Sequence, residues 1–209
     1  PPNADRFFQK LRDGGRVALT TPLIFASLSV VALNSFFVRG WLEIQPAIVG
    51  QILGGDSYAL AIVTAAAGLG SLLASGWIGV GKMKPDIILR CLWPMLAVGL
   101  LGNLGLFYAT GLGAMAAVFT VTGFTATVVG IGAQTLIQLE VSEAYRARVM
   151  TWWSSVSFGS LTIGGMVIGF FGDFIPIETA IFIITIAGIG LAIFELIKLP
   201  LLRDFFTKN

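Results

Sequence analysis

Read for hydrophobic and polar positions alone, the chain is six long apolar blocks separated by short polar turns. The blocks run over 22–49, 58–80, 87–108, 114–139, 148–171 and 177–199. Each exceeds the roughly 20 residues an α-helix needs to cross the hydrocarbon core of a bilayer. None shows the polar face that a surface helix of a soluble domain turns to water. The turns carry the usual punctuation of glycine, proline and charge: Gly54-Gly55-Asp56, Gly81 to Asp86, Gly111-Leu112-Gly113, Gln138 to Ala147 and Asp173 to Pro176. They are too short to hold a soluble domain. The pattern therefore predicts an all-α polytopic membrane protein in which 22–199 is a bundle of six transmembrane helices. Residues 1–21 form a cytoplasmic linker or interfacial helix before it, and 200–209 a cytoplasmic tail.

Within the lead-in, Phe7, Phe8 and Leu11 alternate with Arg6, Lys10, Arg12, Asp13 and Arg16. This suits a short amphipathic helix lying in the membrane interface, with Gly14-Gly15 as its loosening end. Thr21-Pro22 then supplies an N-cap and a first-turn proline for the first span. That span is long enough that it must tilt, bend or protrude, and Gly40 and Pro46 are the expected places for a bend.

Composition agrees with a bilayer as solvent. Of 209 residues, 56% are hydrophobic and only 11% charged, against roughly 25% charged in soluble domains. No histidine and a single cysteine, Cys91, are present. Histidine triads, the usual soft metal sites and an intrachain disulfide are thereby excluded. Neither a nucleotide-binding G-x-x-x-x-G-K-[ST] motif nor a nucleophile–base constellation occurs. No enzyme activity, cofactor, metal or nucleic-acid partner is expected. The chain begins Pro1-Pro2-Asn3 without an initiator methionine, and the expectation is a piece of a longer chain cut in a linker.

The net charge of +2 says less than where the charges sit. Arg6, Lys10, Arg12 and Arg16 precede the first span. Lys82, Lys84 and Arg90 lie between the second and third, Arg146 and Arg148 between the fourth and fifth, and Lys198, Arg203 and Lys208 after the sixth. The opposite turns, near Gly54, Gly111 and Asp173, carry no Lys or Arg. By the positive-inside rule both termini are expected in the cytoplasm; the expected location is a bacterial inner membrane. Arg39 alone departs from the pattern.

Polar residues inside the spans are the candidates for function. Arg39 and Glu43 are four apart, so on a helix they share a face and can pair. Arg39 would lie roughly 26 Å along the first helix, near the outer edge of the core, facing a watery cavity or forming an ion pair at the outer interface. Asn34 lies deeper on the same helix. Gln134 and Gln138, also four apart, either line a pore or bond a neighbouring helix. Asn103 is a further buried polar group. Glu195 is expected to pair with Lys198 near the inner end of the sixth span. Ala66, Gly70 and Ala74, and likewise Gly165 and Gly169, form small-residue faces suited to close helix packing. Trp152-Trp153, Trp41 and Trp77 read by default as an aromatic belt at the headgroup level. Between the fourth and fifth spans, Glu140 and Glu143 can pair with Arg146 or Arg148 across a charged loop.

Four segments carry a family resemblance: Leu42-Glu43-Ile44-Gln45-Pro46-Ala47 followed by Leu53-Gly54-Gly55, 67–74, 140–150 and Gly169-Phe170-Phe171-Gly172-Asp173. With them the chain resembles the C-terminal half of a major facilitator superfamily transporter, nearest to the branch of enterobactin and macrolide exporters. Val80 stands where the family's G-x-x-x-D-R-x-G-R-K loop is acidic. The resemblance implies one six-helix bundle of a major facilitator fold, and a partner six-helix bundle earlier in the same chain. The substrate site would lie between the bundles near the midplane, reached alternately from each side. It further implies that the first and fourth spans line the cavity, which makes Asn34, Arg39, Glu43, Gln134 and Gln138 its candidates.

The expected function is thus secondary active transport of a small amphipathic molecule, as proton-coupled efflux, with the bilayer, the other bundle and the substrate as partners. Glu43 is the one acidic residue placed for protonation. The competing expectation is a non-transporting structural or assembly subunit of a membrane complex.

Overall fold

The computed structural model describes residues 4–80 and 84–198, with side chains throughout except at 4–8, 10 and 80. The side chains of Arg6, Phe7, Phe8 and Lys10, the loop bearing Lys82, and the tail with Arg203 and Lys208 lie outside the described set. Eight α-helices are present among the described residues: α1 (Ala4–Thr20), α2 (Pro22–Leu33), α3 (Gln45–Leu53), α4 (Ser57–Val80), α5 (Pro85–Leu104), α6 (Leu112–Glu140), α7 (Glu143–Gly172) and α8 (Ile177–Lys198). Six stretches are long and apolar enough to span a membrane: α2 to α3 taken together, α4, α5 with the 3₁₀ turn Gly105–Tyr108, α6, α7 and α8. With Leu72, Leu101, Phe158, Met166, Ile183 and Ile197 exposed on the outward faces of these helices, this is the surface of an integral membrane protein rather than of a soluble domain.

Local chemistry explains most of the boundaries. Pro22 and Pro85 sit in the first turns of α2 and α5, where the missing N–H costs nothing. Gly54 ends α3 at φ 56°, a left-handed conformation that favours glycine. Asp56 accepts from the Tyr58 and Ala59 N–H groups, at 3.0 and 3.2 Å, and so opens α4.

Two apolar clusters hold the opposite ends of the bundle. At one end, Ile48, Val49, Ala59, Ala109, Met115 and Ile177 bring together the outgoing ends of the first and third spans and the incoming ends of the second, fourth and sixth. At the other, Ala18, Ile24, Leu28, Ile137, Val141 and Val149 gather α1, the start of α2 and the α6–α7 turn. Arg16, Arg146 and Arg148 belong to this second end. The third cluster, with Val31, Val38, Leu92, Leu96, Leu100 and Val129, fills the middle between the first, third and fourth spans.

The small-residue faces act in packing. A Cβ added at Gly70 would run into the Thr120 carbonyl, and one at Gly123 into the Ala67 carbonyl. The backbones of α4 and α6 therefore touch at this crossing, where dispersion and weak backbone contacts act in place of a hydrophobic drive. Ala74 is fully buried on the same face. In α7 the close approach is made by Gly164 and Gly165; Gly169 meets only Ile44, at 4.0 Å.

Several expectations are corrected. The charged stretch around 138–150 is not a loop. Gln138 to Glu140 finish α6, Val141 and Ser142 form a two-residue link, and Glu143 to Met150 are the first turns of α7. Gly14 and Gly15 do not loosen α1; they let it dock. A Cβ on Gly14 would lie 2.8 Å from the Arg148 Cβ, and one on Gly15 3.0 Å from the Trp152 ring. Trp41 is no belt residue: it is 0% exposed and stacks edge-on against Phe119, centroids 4.7 Å apart. Trp152 ties α7 to α1, donating its indole N–H to the Leu11 carbonyl at 2.9 Å. Lys198 sits over the Phe194 ring at 4.5 Å and makes no salt bridge with Glu195.

Candidate functional site: a broken span beside a polar groove

The first span is interrupted halfway. After α2 the chain makes a π-helical turn over Asn34–Val38, where the Arg39 N–H reaches back five residues to the Asn34 carbonyl at 3.0 Å. It then tightens into a 3₁₀ turn over Gly40–Ile44, with the Leu42 N–H bonded to the Arg39 carbonyl at 2.8 Å. Such turns expose carbonyls that a regular helix would satisfy, and at membrane depth the protein must supply their partners. Asn103 on α5 does so. Its Nδ2 donates to the carbonyls of Phe37 (2.9 Å) and Val38 (3.3 Å), and the Thr122 hydroxyl of α6 donates to its Oδ1 at 3.3 Å.

Glycines on three other helices make room for the irregular backbone. Added Cβ atoms would come to 2.8 Å from Val38 at Gly99, 2.5 Å from the Phe36 carbonyl at Gly164, and 2.7 Å from the Phe37 ring at Gly188. The break is therefore held by α5, α7 and α8 together. Gly40 lies inside it, and Pro46 stands in the first turn of α3, where the 3₁₀ turn gives way to a new α-helix.

Arg39 closes the π turn with φ −100° and is half-buried. It lines a groove of about 320 Å³. Leu42 continues the first-span wall; Ala67, Gly68 and Ser71 come from α4; Gly123, Ala126, Thr127, Gly130, Ile131 and Gln134 from α6; Trp153, Ser157 and Phe158 from α7. The first and fourth spans thus form part of the wall, and the second and fifth complete it. Among the lining residues Arg39 is the one charge and no acid is present. The carboxylate whose field reaches it is Glu43, but no carboxylate of a described residue lies within 4 Å of the guanidinium. The expected Arg39–Glu43 pair is not made, because the π and 3₁₀ turns destroy the i, i+4 register of a regular helix.

The other candidates separate. Gln134 joins Arg39 on the groove, whereas Gln138, one turn on, is exposed outside its lining. Glu43 is exposed and also outside the lining. Asn34 is 1% exposed and its Oδ1 has no hydrogen-bond partner among the described residues; it sits in the core rather than on the groove. Sequence reasoning missed Trp153 and Ser157 as groove residues. Trp153, expected at the headgroup boundary, keeps its indole N–H buried with no partner among the described residues. Ser157 lies 3.4 Å from the Ser35 hydroxyl, between the π turn and α7. The i, i+4 spacing of Trp153 and Ser157, which puts them on one face of α7, was the available signal.

At the charged end, Arg148 takes Asp13 of α1 as its partner, at 3.7 Å, and stacks over Tyr145 at 5.4 Å. Glu140, Glu143 and Arg146 are exposed and form no salt bridge with any described residue. The expected pairing across the turn gives way to one between α1 and α7, because Arg148 turns toward α1 and takes Asp13. No protein-family model, no curated protein and no solved structure matches this chain.

Proposed function

We propose that this chain is one six-helix bundle of a secondary active transporter, resembling the C-terminal half of a major facilitator exporter. The groove beside Arg39 is its contribution to the substrate path. The observation that carries this reading is the interrupted first span. A bilayer tolerates irregular backbone only where protein or a water-lined cavity surrounds it, and discontinuous helices of this kind form the binding sites of many transporters. A half-buried arginine in mid-span adds to it, since intramembrane charges mark substrate and ion paths.

In this reading the groove faces the other bundle, rocking of one bundle against the other opens it alternately to each side, and both ends of this segment lie in the cytoplasm of a bacterial inner membrane. Glu43 is away from the groove lining, so the proton-coupling carboxylate belongs to the other bundle. The test is reconstitution of the full chain in liposomes under an imposed pH gradient, with a panel of lipophilic cations and siderophores. Gradient-dependent flux that collapses with an uncoupler is expected. Absence of flux for every compound in both gradient directions, from protein of native fold, refutes transport and leaves a structural subunit.

A further inference from the structure

We infer that the groove recognises the anionic head of an amphipathic molecule through Arg39. The inference rests on the transport reading above and narrows its substrate class.

The charge pattern comes first. The groove lining holds one arginine and no acid, and no described carboxylate lies within 4 Å of the guanidinium. A half-buried cation reached by the field of Glu43 but with no carboxylate in contact has lost hydration that no close ion pair replaces. A cationic substrate would meet like charge there. An anion supplies what the protein does not, and the planar guanidinium fork suits a carboxylate, sulfonate or phosphate held by two bonds.

Donor chemistry agrees. Trp153, a residue of the same lining, carries a buried indole N–H with no hydrogen-bond partner among the described residues, and an indole can only donate. Gln134 adds an amide that no described group engages. Ser71 spends its hydroxyl proton on the Ala67 and Gly123 carbonyls, at 3.1 and 3.2 Å, so it stitches α4 to α6 rather than competing for ligand.

Shape supplies the other half of the ligand. Trp153, Phe158, Leu42, Ile131 and Ala126 give an apolar and aromatic wall. At about 320 Å³ the groove sits at the lower end of the roughly 300–1,000 Å³ of small-molecule sites. One anionic head on a compact aromatic or aliphatic body fits this description.

The experiment uses the full chain in nanodiscs with three tritiated probes sharing one ring system: naphthalene-2-sulfonate, 2-naphthylmethylammonium and 2-naphthalenemethanol. Saturable binding of the sulfonate, with the ammonium at least tenfold weaker, is expected. Losing a charge-assisted bond weakens binding by about tenfold or more, so Arg39→Gln should abolish the preference for the sulfonate. Arg39→Lys should keep part of it, and Arg16→Gln, remote from the groove, all of it. Trp153→Phe removes one donor and should weaken the sulfonate more than the ammonium, which keeps the inference testable if Arg39→Gln does not fold. Equal binding of sulfonate and ammonium, or sulfonate affinity unchanged in Arg39→Gln or in Arg39→Lys and Trp153→Phe together, overturns the inference. Flux separates this from the transport reading. Gradient-driven flux of the ammonium, insensitive to Arg39→Gln, leaves the transporter standing and removes the anion site. Arg39-dependent sulfonate binding without flux of any probe does the reverse.

Discussion

Asn103→Leu is the sharpest test of how the break in the first span is held. The side chain is 1% exposed, and its three hydrogen bonds differ in quality. The bond to the Phe37 carbonyl, at 2.9 Å, is of ordinary length, while those to Val38 and from Thr122, both at 3.3 Å, are long. Interhelical side-chain bonds in membranes average about 0.6 kcal/mol and reach about 1.7. Leaving a buried acceptor without a partner costs about 1–3 kcal/mol. One good bond, two weak ones and two stranded carbonyls give an expected loss of about 2–3 kcal/mol for Asn103→Leu. Thr122→Val, which removes only the long bond to Oδ1, should cost about 0.5 kcal/mol. Reversible unfolding in mixed micelles, followed by helix content, reads both values. Amide hydrogen exchange should rise in 34–44 and stay unchanged in α4, because the opening is local. If Asn103→Leu matches the wild type within about 0.5 kcal/mol and leaves exchange in 34–44 unaltered, other groups satisfy those carbonyls and the account of the break fails.

Three further outcomes are expected. Gly70→Ala drives a methyl into the Thr120 carbonyl and to 2.8 Å from the Phe124 nitrogen; backbone cannot step aside as a side chain can, so a loss of about 1–3 kcal/mol should appear in the same unfolding assay. Gly76→Ala, with nothing within 4 Å, should be neutral or stabilising by up to about 1 kcal/mol; equal effects at the two sites would contradict the α4–α6 contact. Trp152→Phe removes the bond to the Leu11 carbonyl and should cost about 1 kcal/mol and quicken tryptic cleavage at Arg12 and Arg16; unchanged cleavage would mean α1 is not docked through this bond. A single cysteine at Asp56, in a Cys91→Ser background, should react with an impermeant maleimide added outside intact cells, and labelling only after lysis would reverse the proposed orientation.

The polar groove shows where sequence reading stopped. Arg39 and Gln134 were visible as intramembrane polar residues, but a regular helix was the premise for pairing Arg39 with Glu43. That premise fails at Asn34, six residues ahead of Gly40, because the π turn is stabilised from outside the segment by Asn103 and by Gly99, Gly164, Gly165 and Gly188. No local signal announces a partner that lies on another helix. Trp41 and Trp153 make the same point: the aromatic belt is a statement about depth, and depth depends on how the spans stack. The start of α7 was legible, since Ser142-Glu143 is an N-cap residue followed by a first-turn acid, but the density of charge around it suggested a loop.

By itself the sequence determined the number of spans, their limits to within a few residues, and the gathering of Arg and Lys on alternate turns. These follow from apolar length and charge placement, which act through the bilayer and need no knowledge of neighbours. Only the tertiary structure decided where the first span breaks, which polar residues share a groove, and that α1 is fastened to α7 through Asp13, Gly14, Gly15 and Trp152. In lipid the apolar faces of helices are nearly equivalent, so hydropathy cannot choose between them. The choice falls to close backbone contact at glycine and to a few buried hydrogen bonds, both of which exist only between segments far apart in the chain.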